Sequence, residues 1–188
     1  MYNEYEPYPY PYWVDEPMYP SPQMYNVYEP YPYVANTQMH ISQFERLVTD
    51  LRDYGPEPFV VNIEEATKEN NTFRTALWTG ENFQVTLMSI EPGDDIGLEI
   101  HPTVDQFIRI EEGQGLVEMG NNKDELSFQQ EVYDDFAIMV PAGKWHNVTN
   151  TGNSPLKLYA IYAPPEHPRD TVHETKADAE AAEELYHY

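Results

Sequence analysis

Cysteine is absent from this chain of 188 residues. That excludes disulfides, thiolate nucleophiles and Cys-held zinc or iron-sulfur sites, so any metal must be held by His, Asp, Glu or Gln. Cations are scarce as well: 10 Lys and Arg face 33 Asp and Glu, giving a formal net charge of -23 and a pI near 4.3. Such acidity argues against nucleic-acid binding and against docking on anionic membrane, because both need basic side chains. No stretch approaches the roughly 18 apolar residues of a membrane span. The start of the chain also lacks the basic residues and apolar run of a signal peptide, which points to the cytoplasm. Glycine is sparse at 9 residues, whereas Tyr and Pro reach 16 and 17.

The Tyr and Pro surplus is concentrated at one end. Ten tyrosines and 8 prolines lie between Met1 and Val34, and no Lys or Arg precedes Arg46. The hexamer Tyr5-Glu6-Pro7-Tyr8-Pro9-Tyr10 recurs unchanged as Tyr28-Glu29-Pro30-Tyr31-Pro32-Tyr33. Lacking aliphatic residues for a core, residues 1–38 read as a low-complexity arm that samples extended polyproline-like conformations. Residues 39–56 read as an amphipathic helix. Ile41, Phe44, Leu47, Val48, Leu51 and Tyr54 are spaced three or four apart, Ser42 and Glu45 form a capping box, and Gly55-Pro56 forms a stop.

From Phe59 the pattern becomes that of short strands. Phe59–Ile63, Phe73–Thr79, Phe83–Ile90, Gly97–His101, Gln106–Ile110, Gly115–Met119, Asp135–Val140, Trp145–Thr149 and Leu156–Tyr162 are separated mostly by Gly, Pro, Asn or Asp. Many short strands with few helices between them predict an all-β sandwich or small closed barrel over 57–165. After Pro164-Pro165 the chain turns polar, and Ala177–Leu185 is expected as a helix in an acidic tail over 166–188.

Two segments within the strand region hold metal-capable residues at set spacings. The first runs Gly93, Glu99-Ile100-His101-Pro102, Gln106 and Gly113; the second runs Asp135, Pro141, Gly143, His146 and Asn150. Here the chain resembles the cupin superfamily, whose motifs are G-x5-H-x-H-x3,4-E-x6-G and G-x5-P-x-G-x2-H-x3-N. Every spacing of both is kept. Glu99 stands where the family has its first His, Gln106 where it has Glu, and Asp135 where it has the leading Gly of the second motif. The resemblance covers about residues 60 to 165 and implies a jelly-roll barrel, the double-stranded β-helix.

It also implies a divalent metal held by Glu99, His101, Gln106 and His146. A strand puts residues i and i+2 on one face, so Glu99 and His101 can both point inward. Two imidazoles, one carboxylate and a neutral amide oxygen suit Zn, Fe, Mn or Ni, and ligand type alone does not choose among them. Gln106 has an alternative reading as a buried amide bonded to the pocket wall. His40, His167, His173 and His187 have no partner at ligand spacing and read as solvent residues. Tyr159 and Tyr162, three apart on one strand, must face opposite ways. Lys144 and Arg109 are the cations nearest the motifs, either for orienting an anionic substrate or for pairing with surface acids. No Ser-His-Asp order, phosphate loop or paired catalytic carboxylate stands out.

Two classes of function follow. The first is a small-molecule binder or metal-dependent enzyme, an isomerase or oxygenase, acting on a sugar or carboxylate. Its donor mixture resembles that of cupin-type phosphomannose isomerases, and the short chain resembles mannose-6-phosphate isomerase-like bacterial cupins. The second is a structural protein: the arm resembles Tyr/Pro-rich segments of bacterial spore coats, which makes the coat an alternative location and coat components alternative partners. A homodimer is expected because resembling proteins pair through barrel edges.

Overall fold

The computed structural model describes residues 50–186. Two antiparallel sheets face each other. One has six strands in the order β10-β1-β2-β9-β4-β7, formed by β1 (Arg74–Thr79), β2 (Gln84–Ile90), β4 (Asp105–Glu112), β7 (Ala137–Val140), β9 (Leu156–Ala163) and β10 (Val172–His173). The other has the order β3-β8-β5-β6, formed by β3 (Glu99–Ile100), β5 (Gln114–Gly120), β6 (Phe128–Tyr133) and β8 (Trp145–Asn150). This is the all-β jelly-roll barrel that the resemblance implied.

Strand alternation builds its interior. Gln106, Ile108 and Ile110 turn inward from β4, Val117 and Met119 from β5, and His146, Val148 and Asn150 from β8. Ile90, Ile110, Val148, Leu156 and Leu158 are fully buried between the sheets. Burial of each such side chain stabilises by about 1.5–3 kcal/mol.

The turns joining the motifs explain their glycines. Gly113 has φ 101, and a Cβ there would lie 3.2 Å from the Leu156 Cα and the Pro155 carbonyl oxygen. Asp135, at the family's glycine position, also sits in the left-handed region with φ 69, a conformation that Asp tolerates better than most residues. Asn150 ties the second motif to the barrel: its Nδ2 donates to the carbonyls of Ile90 (2.8 Å) and Ser154 (2.9 Å), and its Oδ1 accepts from the Gly152 N–H (2.8 Å).

Helices flank the barrel strands. α1 (Ile63–Glu69) precedes them and α2 (Lys176–Tyr186) follows, the latter where a terminal helix was expected. Thr175 immediately precedes α2, its N–H and hydroxyl both donating to the Asp178 carboxylate (2.9 and 2.8 Å), and the helix buries Ala179 against the core.

The expected strand Phe59–Ile63 does not form. Asn62 caps α1 by accepting from the Glu65 N–H, and Ala66 packs on Leu77 and Leu87 on the outer face of the six-stranded sheet. Phe59, Val61 and Ile63 join that outer cluster, so their alternation reflects docking as an irregular strap and not strand pairing. The expected helix over 39–56 falls partly outside the described residues, and Leu51–Tyr54 are not helical. The Tyr54 N–H instead donates to the Leu77 carbonyl (2.9 Å), which draws the segment onto β1. The low-complexity arm lies wholly outside the described residues. Two strands had no sequence signal: β6 exposes every side chain but Val132, and β10 is two residues long.

Candidate metal centre

Glu99 on β3 and His146 on β8 are direct cross-strand partners, and His101 follows two residues after Glu99. The Glu99 Oε1 lies 3.2 Å from the His101 Nε2 and 3.3 Å from the His146 Nε2. One ligand atom from each residue falls within 4.8 Å of the others. His146 is fully buried and His101 is 6% exposed. The first and second motifs are locked together by the Gly143 N–H donating to the His101 carbonyl (2.8 Å) and the Ala142 N–H donating to Asp105 (2.8 Å).

The tautomers follow from these partners. The His146 Nδ1 is 3.0 Å from the Lys144 carbonyl, which can only accept, so Nδ1 carries the proton and Nε2 presents a lone pair to the interior. That Nε2 is buried without a hydrogen-bond partner, 3.3 Å from the Glu99 Oε1. Burial acts to raise the Glu99 pKa, but the hydrogen bond from His101 and the charge of the Arg74 guanidinium outweigh it and hold the carboxyl well below the usual range. Burial acts to lower the His101 pKa, while hydrogen bonding to Glu166 and Glu99 overcomes this and raises it to about 9.

Gln106, the fourth expected donor, is 4% exposed on β4 beside Tyr162 in the register. Its Oε1 is buried with no hydrogen-bond partner. An unpartnered carbonyl oxygen and an unpartnered imidazole nitrogen in one interior fit the donor chemistry of a divalent cation.

Sequence reasoning missed three residues near this cluster. Arg74 on β1 is 1% exposed, with guanidinium nitrogens 4.0 Å from the Glu99 Oε2 and 3.6 Å from the Glu183 Oε1. Its signal was a lone cation in an otherwise uncharged strand. Glu166 places its Oε1 3.1 Å from the His101 Nδ1. His167 was expected in solvent, yet its ring stands edge-on to Tyr162 at 5.0 Å, with Nε2 buried. Burial and the Arg74 charge lower its pKa to about 3. His173 likewise buries its Nδ1. Both correct the solvent reading, which treated spacing from the motifs as the measure of proximity. His40 and His187 lie outside the described residues.

Tyr162 is fully buried, whereas Tyr159 packs in the outer cluster, the opposite facing expected from their separation. Arg109 pairs with Glu111 (2.9 Å) and Asp135 (2.5 Å), and the Lys144 Nζ donates to Asn121. Arg109 thus takes the surface-pairing role, and Arg74 is the cation at the centre.

Two facing antiparallel sheets that enclose a carboxylate and two imidazoles define a cupin-type barrel. The chain belongs to the cupin superfamily, and the cupin-domain family model matches residues 86–162. It is 75% identical over 134 residues to the uncharacterized protein YrkC of Bacillus subtilis, covering 71% of this chain and 72% of that protein. An uncharacterized protein of Acanthamoeba polyphaga mimivirus is 42% identical over 111 residues, 58% of this chain and 68% of its own. A crystal structure from Bacillus halodurans is 69% identical with a TM-score of 0.69, covering 69% of this chain and 98% of that one.

Proposed function

We propose that the barrel holds a divalent metal ion through Glu99, His101 and His146, with Gln106 as a neutral fourth donor, and presents it to a small oxygen-bearing ligand such as a sugar or carboxylate. The observation that carries this reading is the convergence of three ionisable donors within 4.8 Å, beside the unpartnered His146 Nε2 and Gln106 Oε1. One carboxylate leaves a divalent ion at net +1. When bound, the ion would act as a Lewis acid or activate water or O2, which suits a metal-dependent isomerase or oxygenase.

Elemental analysis of protein purified without added metal tests the reading. About one ion per chain is expected in the parent protein, with at least a tenfold loss in Glu99→Ala and in His101→Ala. Unchanged metal content in both variants sinks it.

The repeated Tyr-Pro hexamer favours a second, compatible reading in which the arm anchors the barrel in an assembly such as a spore coat. Tyrosine is a side chain suited to stacking on a partner, and the repeat supplies it many times over. Deleting residues 1–34 should abolish assembly and leave metal content unchanged; a deletion variant that still assembles removes the idea. A homodimer completes the proposal, and light scattering at the monomer mass would refute it.

A further inference from the structure

Glu166 lies outside both sequence motifs, on the segment that leaves β9, yet its Oε1 reaches within 3.1 Å of the His101 Nδ1. The opposite ring nitrogen, Nε2, faces Glu99. Glu166 therefore approaches His101 from behind, on the side away from the donor cluster, where it cannot share an ion with Glu99 and His146. A carboxylate in that position fixes the proton on Nδ1, leaves the Nε2 lone pair for a metal, and sets the ring orientation.

The segment that carries Glu166 is held at several points. The fully buried Gln84 grips the backbone of the next residue with both ends of its amide: Nε2 donates to the His167 carbonyl (3.0 Å), and Oε1 accepts from the His167 N–H (3.0 Å). Gln84 and Tyr162 are opposed in the register, and the Tyr162 ring meets the His167 ring edge to face. Further along, the Asp170 N–H donates to Asp53 (3.2 Å) and the Ala76 N–H to the Thr171 carbonyl (2.8 Å). The Gln84 Nε2 also donates to the Thr79 hydroxyl (2.9 Å), and a buried amide anchored in this way, with both ends on one backbone position of a loop, is a device for placing the neighbouring side chain.

We infer that Glu166 is the positioning residue for the metal ligand His101, supplied by the post-barrel segment and aligned by Gln84. This inference rests on the metal reading above. The test is Co2+ and Zn2+ titration of the full chain and its Glu166→Ala and Glu166→Gln variants, together with the melting temperature of each metal-free protein. The Ala variant should bind both ions about 10–100-fold more weakly at unchanged stoichiometry. The Gln variant, whose amide oxygen still accepts from Nδ1–H, should recover most of that loss. In the zinc-loaded parent protein the His101 Nδ1–H should give a slowly exchanging downfield proton resonance that Glu166→Ala loses. Affinity within twofold of the parent with the resonance retained overturns the role of Glu166 and leaves the metal site standing. A parent protein that takes up neither ion overturns both. A fall in metal-free melting temperature that accompanies equal affinity assigns Glu166 to stability alone and also overturns the inference.

Discussion

Asp53 offers a quantitative test of how the chain outside the motifs is fastened to the barrel. It is 8% exposed, and its carboxylate accepts from the Gly55 N–H (2.9 Å), the Thr79 N–H (2.9 Å), the Thr79 hydroxyl (2.5 Å) and the Asp170 N–H (3.2 Å). One side chain thus joins the entry segment, the end of β1 and the segment bearing Glu166. Asp53→Ala strips the acceptor from three backbone donors and a hydroxyl. Hydrogen bonds to a charged group contribute about 1.5–3 kcal/mol each, but water can re-engage the more accessible donors, so a net loss of about 3–5 kcal/mol is expected. That is a large share of the roughly 5–15 kcal/mol that separates a folded domain from its unfolded chain. Asp53→Asn keeps one acceptor oxygen and should cost about 1–3 kcal/mol. The pH dependence has a definite sign. Burial raises the Asp53 pKa, yet the bonds from Thr79, Gly55 and Asp170 prevail and hold it below its ordinary value. A depressed carboxylate stabilises fully above its unfolded pKa, near 4, and the benefit is lost as pH falls through the folded value. The gap between parent and Asp53→Asn should therefore be full at pH 6 and close as pH drops below about 4. Urea denaturation of the three proteins across that range measures it. An Asp53→Ala variant within about 1 kcal/mol of the parent at pH 6 would refute the reasoning, because four bonds to a buried charge cannot then be contributing as described.

Two further outcomes are expected. Because His101 in the metal-free protein keeps its proton up to about 9, an ion binding at pH 7 must displace it, so affinity should rise about tenfold per pH unit from 7 to 9 and then level. Calorimetry in buffers of different ionisation enthalpy should register about one proton released per ion at pH 7, and none released would contradict it. At Gly113, φ 101 and a Cβ at 3.2 Å from the Leu156 Cα predict that Gly113→Ala destabilises by about 1–3 kcal/mol. Gly143→Ala, at φ 76 with open space around the Cβ, should cost less in the same thermal melt, and a reversed order would count against the steric argument.

The barrel and much of its centre were legible because they follow local rules. Alternation along β4, β5 and β8 marks inward residues, and the i, i+2 spacing brings Glu99, on β3, and His101, just past its end, to one cluster. Alternation misled at Phe59, Val61 and Ile63, where every second side chain docks on the outer cluster without any strand partner. β6 escaped notice for the opposite reason, since an exposed edge strand buries too little to leave a pattern.

The chain by itself limited what could hold a metal: with no Cys, the available donors are imidazole and oxygen, and two motifs mark where they lie in the sequence. It could not show what surrounds those donors. Arg74 arrives from β1, 25 positions before Glu99, and Glu166 arrives 65 positions after His101, both brought in by sheet pairing and a Gln84 grip that no local spacing encodes. Charge and proton position at the centre depend on separations of 3 to 4 Å across the barrel, and only the folded chain sets those.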